Sequence, residues 1–262
     1  MDASSAHADF RFYAELNDHL PEEWRYKTVQ RSFFVPGNVK DMIESCGVPH
    51  TEVELVVANG KSVDFSYLVR DGDRIAVYPM FESIDIRPEL LVRPAVLRNL
   101  KFVIDVHLGR LAAYLRMLGF DALYQNSLAD CELARISSEQ RRVLLTRDRG
   151  LLKHTIVTHG YWLRETDSRR QLAEVVARFD LARSIRPFSR CMTCNSPLQE
   201  VSKDQVRDRL PRRTAELHDR FHQCPQCCRV YWAGSHHRRM QHWIRELTGS
   251  AGETAQFSSA LF

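Results

Sequence analysis

Two cysteine pairs, CMTC at residues 191–194 and CPQC at 224–227, constrain this chain more than any other feature in it. The C-x-x-C spacing lets two thiolates grip one tetrahedral ion, and a second pair completes its four ligands. Cys191, Cys194, Cys224 and Cys227 are therefore expected to hold one Zn²⁺ in a closed, structural site. The 29 residues between the pairs, 195–223, exceed the spacing of a short finger, so the expectation is a ribbon with a long loop. A redox role would suit one such motif better than two. The chain has seven cysteines, and the odd count argues against a disulfide framework. The N-terminus, MDASSAHADFRF, agrees: it has no basic stretch followed by an apolar one, so no export signal and a cytoplasmic location are expected. Cys46 and Cys131 read as small core or half-buried residues. Cys228 follows Cys227 directly, where such a knuckle favours glycine; it reads as a free thiol, with competition for the metal as the alternative.

Charge divides the chain. Residues 1–95 carry 10 Lys+Arg against 16 Asp+Glu, a balance of −6; residues 96–262 carry 27 against 17, a balance of +10. The basic part attracts phosphate backbones and the acidic part is repelled by them, so two domains with different tasks are expected. A hydrophobic content of 44% over 262 residues suffices for both cores. No uncharged apolar run approaches the ~20 residues of a membrane span, and no membrane role is expected.

In the acidic part, FRFYAEL (10–16) and RSFFVP (31–36) read as strands, and VKDMIESCG (39–47) as a short helix ended by Gly47. VELVVANGKSV (53–63) places Asn-Gly between apolar runs, a hairpin signal, and LVRDGDRIAVYP (68–79) puts Asp-Gly before another strand. ANGKSVDFSYLVRDGDRIAVYP resembles the end of a β-grasp domain of the ubiquitin and sulfur-carrier type. The resemblance implies an α+β β-grasp domain over 8–87. Carriers of that type act through a free C-terminal Gly-Gly, which is missing here, so a docking or structural module, with a protein partner as one option, is expected instead of a conjugating one. Pro88 and Pro94 mark a linker over 88–98.

Beyond the linker, KFVID (101–105) is a short β-rich run. Leu108, Leu111, Ala112, Leu115 and Leu118 then share one helical face, closed by Gly119. FDALYQN (120–126) reads as a strand, CELARISSEQ (131–140) as a helix and RVLLT (142–146) as a strand. TIVTHGYWLRE (155–165) includes a strand, and SRRQLAEVVARF (168–179) is an amphipathic helix. Alternating strands and helices imply a parallel sheet covered on both faces, with ligands at the carboxyl ends of its strands. Carboxylates recur there: Asp105 ends the first strand, Asp148 follows RVLLT, Asp167 follows YWLRE, and Asp130 and Glu132 open a helix. Carboxylates held together repel one another unless a cation neutralises them, and oxygen ligands suit Mg²⁺ or Mn²⁺. Asp130 and Asp167 also read as plain helix caps, and Asp148 as a plain turn residue.

KFVIDVHLGRLAAYLRMLGFDALY, with RVLLTRDRGLL and the cysteine region, resembles the Mut-seven C-terminal RNase family over about residues 98–245. That family combines a PIN-like nuclease domain with a zinc ribbon and has members preceded by a β-grasp domain. The resemblance implies an α/β, three-layer PIN-like parallel sheet over 99–185 and a ribbon over 186–247, with a disordered tail over 248–262. Asp105 and Asp148 match its motif acids best, Asp130 or Glu132 falls at the helix acid, and Asp167 matches the last acid loosely. The implied activity is metal-dependent endoribonuclease cleavage. Around the cysteines, residues 186–245 hold 12 Lys+Arg against 5 Asp+Glu. Arg229, Tyr231, Trp232, His236, His237, Arg238 and Arg239 there, with Arg147 and Arg149 beside Asp148, suit phosphate contact and base stacking; the alternative is a solvated basic face with Tyr231 and Trp232 packing the ribbon and His236 and His237 as plain surface residues. The alternatives are a non-catalytic RNA-binding or ribosome-associated module, and a protein–protein adaptor centred on the β-grasp domain.

Overall fold

The computed structural model describes residues 5–79, 91–92 and 100–249. The linker expected over 88–98 lies almost wholly outside the described residues, and so does the expected tail beyond residue 249. The N-terminal strand β1 (Ala6–Phe12) alternates inward Ala8, Phe10 and Phe12 with outward polar residues. It ends earlier than its apolar pattern suggests, because Ala14 takes a positive φ of 46° and Ala14–His19 coils into a 3-10 turn that buries Leu16. Strand β2 (Thr28–Phe33) pairs antiparallel with β1 and starts three residues before the expected strand. Helix α1 (Val39–Ser45) is capped by Asn38, whose side chain accepts from the Asp41 amide at 2.8 Å. Gly47, at φ +104°, reverses the chain after it. A 3-10 turn, His50–Glu52, leads into β3 (Leu55–Ala58) and β4 (Lys61–Val63). Asn59 and Gly60 both have positive φ, as a two-residue hairpin turn requires. Strand β5 (Arg74–Tyr78) lies parallel to β1 and antiparallel to β3, giving the order β2-β1-β5-β3-β4. Val39, Ile43, Val48, Val56 and Val77 complete a core with no exposure to solvent. The mixed sheet packed on one helix is that of a β-grasp domain.

The chain then builds parallel β-structure with helices. Strand β6 (Lys101–Ile104) buries Phe102, Val103 and Ile104 and pairs parallel with β7 (Asp121–Leu123) through helix α2 (Gly109–Met117). Gly119 is fixed by a close approach: a Cβ there would stand 2.2 Å from the Arg186 carbonyl oxygen, at φ +95°. Helix α3 (Asp130–Glu139) leads to β8 (Val143–Thr146), all four residues of which are buried. Helix α4 (Arg149–Leu152) is a single turn, and β9 (Gly160–Trp162) pairs parallel with β8. Helix α5 (Ser168–Arg178) buries Leu172, Val175 and Val176, and Phe179 meets Phe102 edge-on at 5.8 Å.

The C-terminal part contains β10 (Gln199–Val201), α6 (Lys203–Val206), α7 (Arg212–Leu217), β11 (Phe221–Gln223) and β12 (Val230–Tyr231). The three strands form an antiparallel sheet in the order β10-β11-β12. Helix α8 (Ser235–Gly249) follows, an element that the expectation of a ribbon over 186–247 does not include. The chain divides into two compact units, residues 1–99 with 128–162 and residues 100–127 with 163–262. The β-grasp domain, α3, β8, α4 and β9 thus make up one unit. The β6, α2, β7 and α5 elements and the whole cysteine region make up the other. No described helix is long and apolar enough to cross a membrane.

Candidate metal centres and nucleic-acid surface

The four paired cysteines meet at one point. Cys191 and Cys227 sulfurs stand 3.5 Å apart, Cys194 and Cys224 sulfurs 3.2 Å apart, and all four lie within 4.8 Å of one another. Four thiolates at ~2.3 Å from a tetrahedral zinc stand about 3.8 Å from each other, so the set fits that ion. Each knuckle turns on a left-handed residue directly after its second cysteine: Asn195 at φ +72° and Cys228 at φ +58°. Cys228 is exposed and outside the cluster, and its carbonyl accepts from Arg209 at 3.0 Å. It occupies the place where glycine was expected, because only the backbone of that position is needed.

Electrostatics in the cluster favour one thiolate first. Burial opposes ionisation of Cys191. The Tyr231 hydroxyl at 3.1 Å, the Cys194 and Thr193 amides and the Cys227 thiol outweigh it and draw the Cys191 thiol down to about 6. Cys227 moves the opposite way, to about 12: burial leads, the Arg229 amide works against it, and the three neighbouring sulfurs add to it. A dication relieves that conflict by allowing all four sulfurs to ionise.

Other side chains seat the first knuckle on the preceding α/β elements of the same unit. Buried Arg116 on α2 donates to the carbonyls of Ala122, Met192 and Thr193 at 2.8, 3.2 and 2.7 Å. Burial lowers its pKa, and Cys191, Cys194 and Asp121 counter that. Asn195 donates to Asp121 at 2.7 Å and accepts from the Ala122 amide at 3.0 Å. Sequence reasoning missed both residues. The signal for Arg116 was an arginine set between Leu115 and Met117 in a helix otherwise patterned for burial.

The five acids occupy different local settings. Asp105 closes β6, is only 6% exposed, and its carbonyl accepts from the Leu108 amide. Asp148 is exposed and caps α4, its Oδ1 accepting from the Gly150 amide at 2.7 Å while its own amide donates to Thr146 Oγ1 at 2.9 Å. Asp167 caps α5 through the Arg169 and Arg170 amides at 3.0 and 3.1 Å. Asp130 opens α3 without capping it, since Ala129 holds the cap position. Glu132, one helical turn from Arg135, stands 3.9 Å from its guanidinium. Among the described residues, the cysteines are the only group of three or more potential ligands gathered within 4.8 Å.

The basic residues of the ribbon divide by helical face. His236, Arg238 and Arg239 are exposed on α8, and Arg229 is exposed before β12. His237 is a correction to the expected surface: it is 6% exposed, with its ring 4.1 Å from that of Phe188. His237, Met240 and Ile244 fall at i, i+3 and i+7, so the ring faces inward along the helix's apolar stripe. Trp243, between them, meets Tyr114 edge-on at 4.8 Å and carries Arg169 over its ring at 5.0 Å. A cavity of about 350 Å³ opens beside this helix, lined by Phe188, Met192, Tyr231, Trp232, His236 and Met240 among others. Arg147 and Arg149 are exposed on either side of Asp148, but Arg149 is engaged, donating to the His19 carbonyl at 3.3 Å and lying 5.0 Å above the Trp162 ring.

Comparison with known proteins agrees with this layout. Residues 100–244 match the family described as Mut7-C RNAse domain, and residues 5–85 match that described as Mut7-C ubiquitin. No curated protein and no solved structure matches the chain.

Proposed function

The chain belongs to the Mut7-C RNAse domain family, preceded by the ubiquitin-like domain that accompanies it, and on that premise we propose that it is a metal-dependent endoribonuclease with a PIN-like core. The observation that carries the reading is the placement of Asp105 and Asp148, one and two residues past the carboxyl ends of buried parallel strands within the matched segment. Such edges are where α/β sheets bind ligands. In this reading Asp105 and Asp148 ligate Mg²⁺ or Mn²⁺, with Asp130 or Glu132 and then Asp167 completing the acidic site. The ion supplies an activated water and stabilises the departing oxygen of a phosphodiester. The domains are 8–87, 99–185 and 186–247, and the ribbon's zinc is structural.

RNA is the proposed substrate, held by the basic face of the ribbon. Arg229, His236, Arg238 and Arg239 meet phosphates, and the cavity beside Trp232 accepts an unstacked base. A cytoplasmic setting follows from the reduced cysteines that zinc binding needs. One observation favours a second reading, a non-catalytic RNA-binding module: Asp148 and Asp167 both cap helices, so each has a structural task independent of any metal. Incubating the purified protein with total RNA and Mn²⁺, Mg²⁺ or chelator separates the two. Cleavage that needs metal supports the nuclease, and binding without cleavage supports the module.

A further inference from the structure

The segment carrying Asp148 is not self-supporting. Helix α4 is one turn long, and the residues flanking Asp148 lie on the surface. Both flanks are held from outside. Arg147 gives its carbonyl to the indole Nε1–H of Trp162 at 3.2 Å. Arg149 lies over the face of the same indole and donates to the His19 carbonyl of the β-grasp domain. Trp162 is in turn fixed by that domain. Its amide donates to Glu52 Oε1 at 2.6 Å, and Glu52 Oε2 meets His19 Nε2 at 2.9 Å, with neither of those side chains exposed at all. The His19 ring lies 5.0 Å from the indole.

Further contacts seat the same turn. His50 Nε2 bonds to the Val157 carbonyl at 2.8 Å, and Lys153 Nζ donates to the Glu44 carbonyl at 2.9 Å. Thr51 packs in ordinary contact distance of Gly160, where an added Cβ would lie 3.4 Å from its side chain. A carboxylate that binds a catalytic ion must be held to within ~0.5 Å, which an exposed loop does not provide by itself. Burying a carboxylate against a neighbouring strand's amide carries a desolvation cost that packing alone does not call for.

We infer that the β-grasp domain is a built-in positioning element for the Asp148 loop, with Glu52 as its positioning residue acting through Trp162. The consequence for metal binding rests on the nuclease reading above; the bracing of the loop does not. This face of the domain is thereby committed to its own chain.

The test uses the full-length protein and two readouts: hydrogen exchange of the Gly150 amide, which reports the Asp148 cap, and the Mn²⁺ concentration for half-maximal RNA cleavage. Trp162→Phe keeps the backbone bond to Glu52 and an aromatic face for Arg149, and removes the Nε1–H together with the five-membered ring. Glu52→Ala removes the support of the strand. Both are expected to speed Gly150 exchange and to raise the Mn²⁺ requirement about 10-fold or more, the usual effect of removing a ligand's supporting bond. Glu52→Gln, which still accepts from the Trp162 amide, is expected to stay close to the parent in both. Unchanged Gly150 exchange in Trp162→Phe overturns the brace, and that variant decides the matter even if Glu52→Ala does not fold. Faster exchange with an unchanged Mn²⁺ requirement overturns its service to the metal. If the parent protein cleaves no RNA with any metal, the nuclease reading falls while the exchange readout still decides the brace.

Discussion

Asp148 caps a helix through Oδ1, and the nuclease reading gives the same carboxylate a second task as a metal ligand. Asparagine caps as well as aspartate, so Asp148→Asn keeps the turn and removes the charge. The rate of metal-dependent cleavage is expected to fall at least ~100-fold, with metal-free RNA affinity level or higher and the melting temperature nearly unchanged. Normal cleavage together with an earlier melt would return Asp148 to a plain cap. A neighbour gives an independent check. A Cβ at Gly150 would stand 3.0 Å from Asp148 Oδ1, so Gly150→Ala shifts the carboxylate by a few tenths of an ångström, and activity should drop before stability does. Cys228 offers the opposite case. It holds φ +58° with a side chain, at a cost that glycine avoids, so Cys228→Gly is expected to stabilise the ribbon by about 1 kcal/mol with zinc content unchanged. Thermal melts and metal analysis read both quantities. The glycine-favouring position here was legible in the sequence, but not that Asn195 fills its twin in the other knuckle.

At the scale of elements, the cysteine ribbon and α8 carry exposed basic residues beside a four-sulfur cluster that fits zinc. Cys194→Ser removes one of the four sulfurs of the cluster, and a structural zinc site contributes its binding energy to folding. The replacement is expected to lower zinc below one per chain and to loosen residues 186–245, read by metal analysis and hydrogen exchange. Full zinc retention would rule out the four-cysteine site. Arg238 and Arg239 lie on the exposed face of α8, so replacing both with alanine should weaken RNA binding for all sequences alike. The salt slope should become shallower, by ~0.7 for each phosphate of a single strand that the variant no longer neutralises. An unchanged slope would mean a merely solvated face. His237 was legible as basic but not as buried, because the helix that turns it inward was not recognised. Its signal, Met240 and Ile244 at helical spacing, stood in the sequence and was outweighed by the run of charges.

For the molecule as a whole, the docking of the β-grasp turn carries its own pH dependence. Glu44 accepts from His50 Nδ1 at 2.6 Å, and His50 bonds onward to Val157. Burial raises the Glu44 pKa, but the hydrogen bond and charge of His50, with Lys40, outweigh it and hold the carboxyl below its ordinary 4.5. A depressed carboxylate pKa contributes stability above the unfolded value, and that contribution is lost as pH falls through the folded one. The parent protein should therefore lose more stability than Glu44→Gln once the pH drops below about 4.5, as melting curves from about pH 7 to about pH 3 would register. Equal losses would place the acid sensitivity elsewhere.

The sequence by itself determined whatever depends on short-range pattern and on rare residue types. Two C-x-x-C pairs specify a four-sulfur site, Asn-Gly specifies a hairpin, and apolar runs closed by aspartate specify strand ends. Tertiary structure alone decided which distant groups meet. Glu52 reaches the Trp162 amide 110 residues away, and Arg116 seats a knuckle 76 residues on. The apolar neighbours of Arg116 signal its burial, but neither residue's partner is written locally, because a buried polar side chain takes its partners from the backbone that packing brings to it. The α+β character of the N-terminal domain could be read from its turns and strand pattern, and its β-grasp type from the resemblance of its sequence. That one of its faces supports the Asp148 loop could be read only from the contacts.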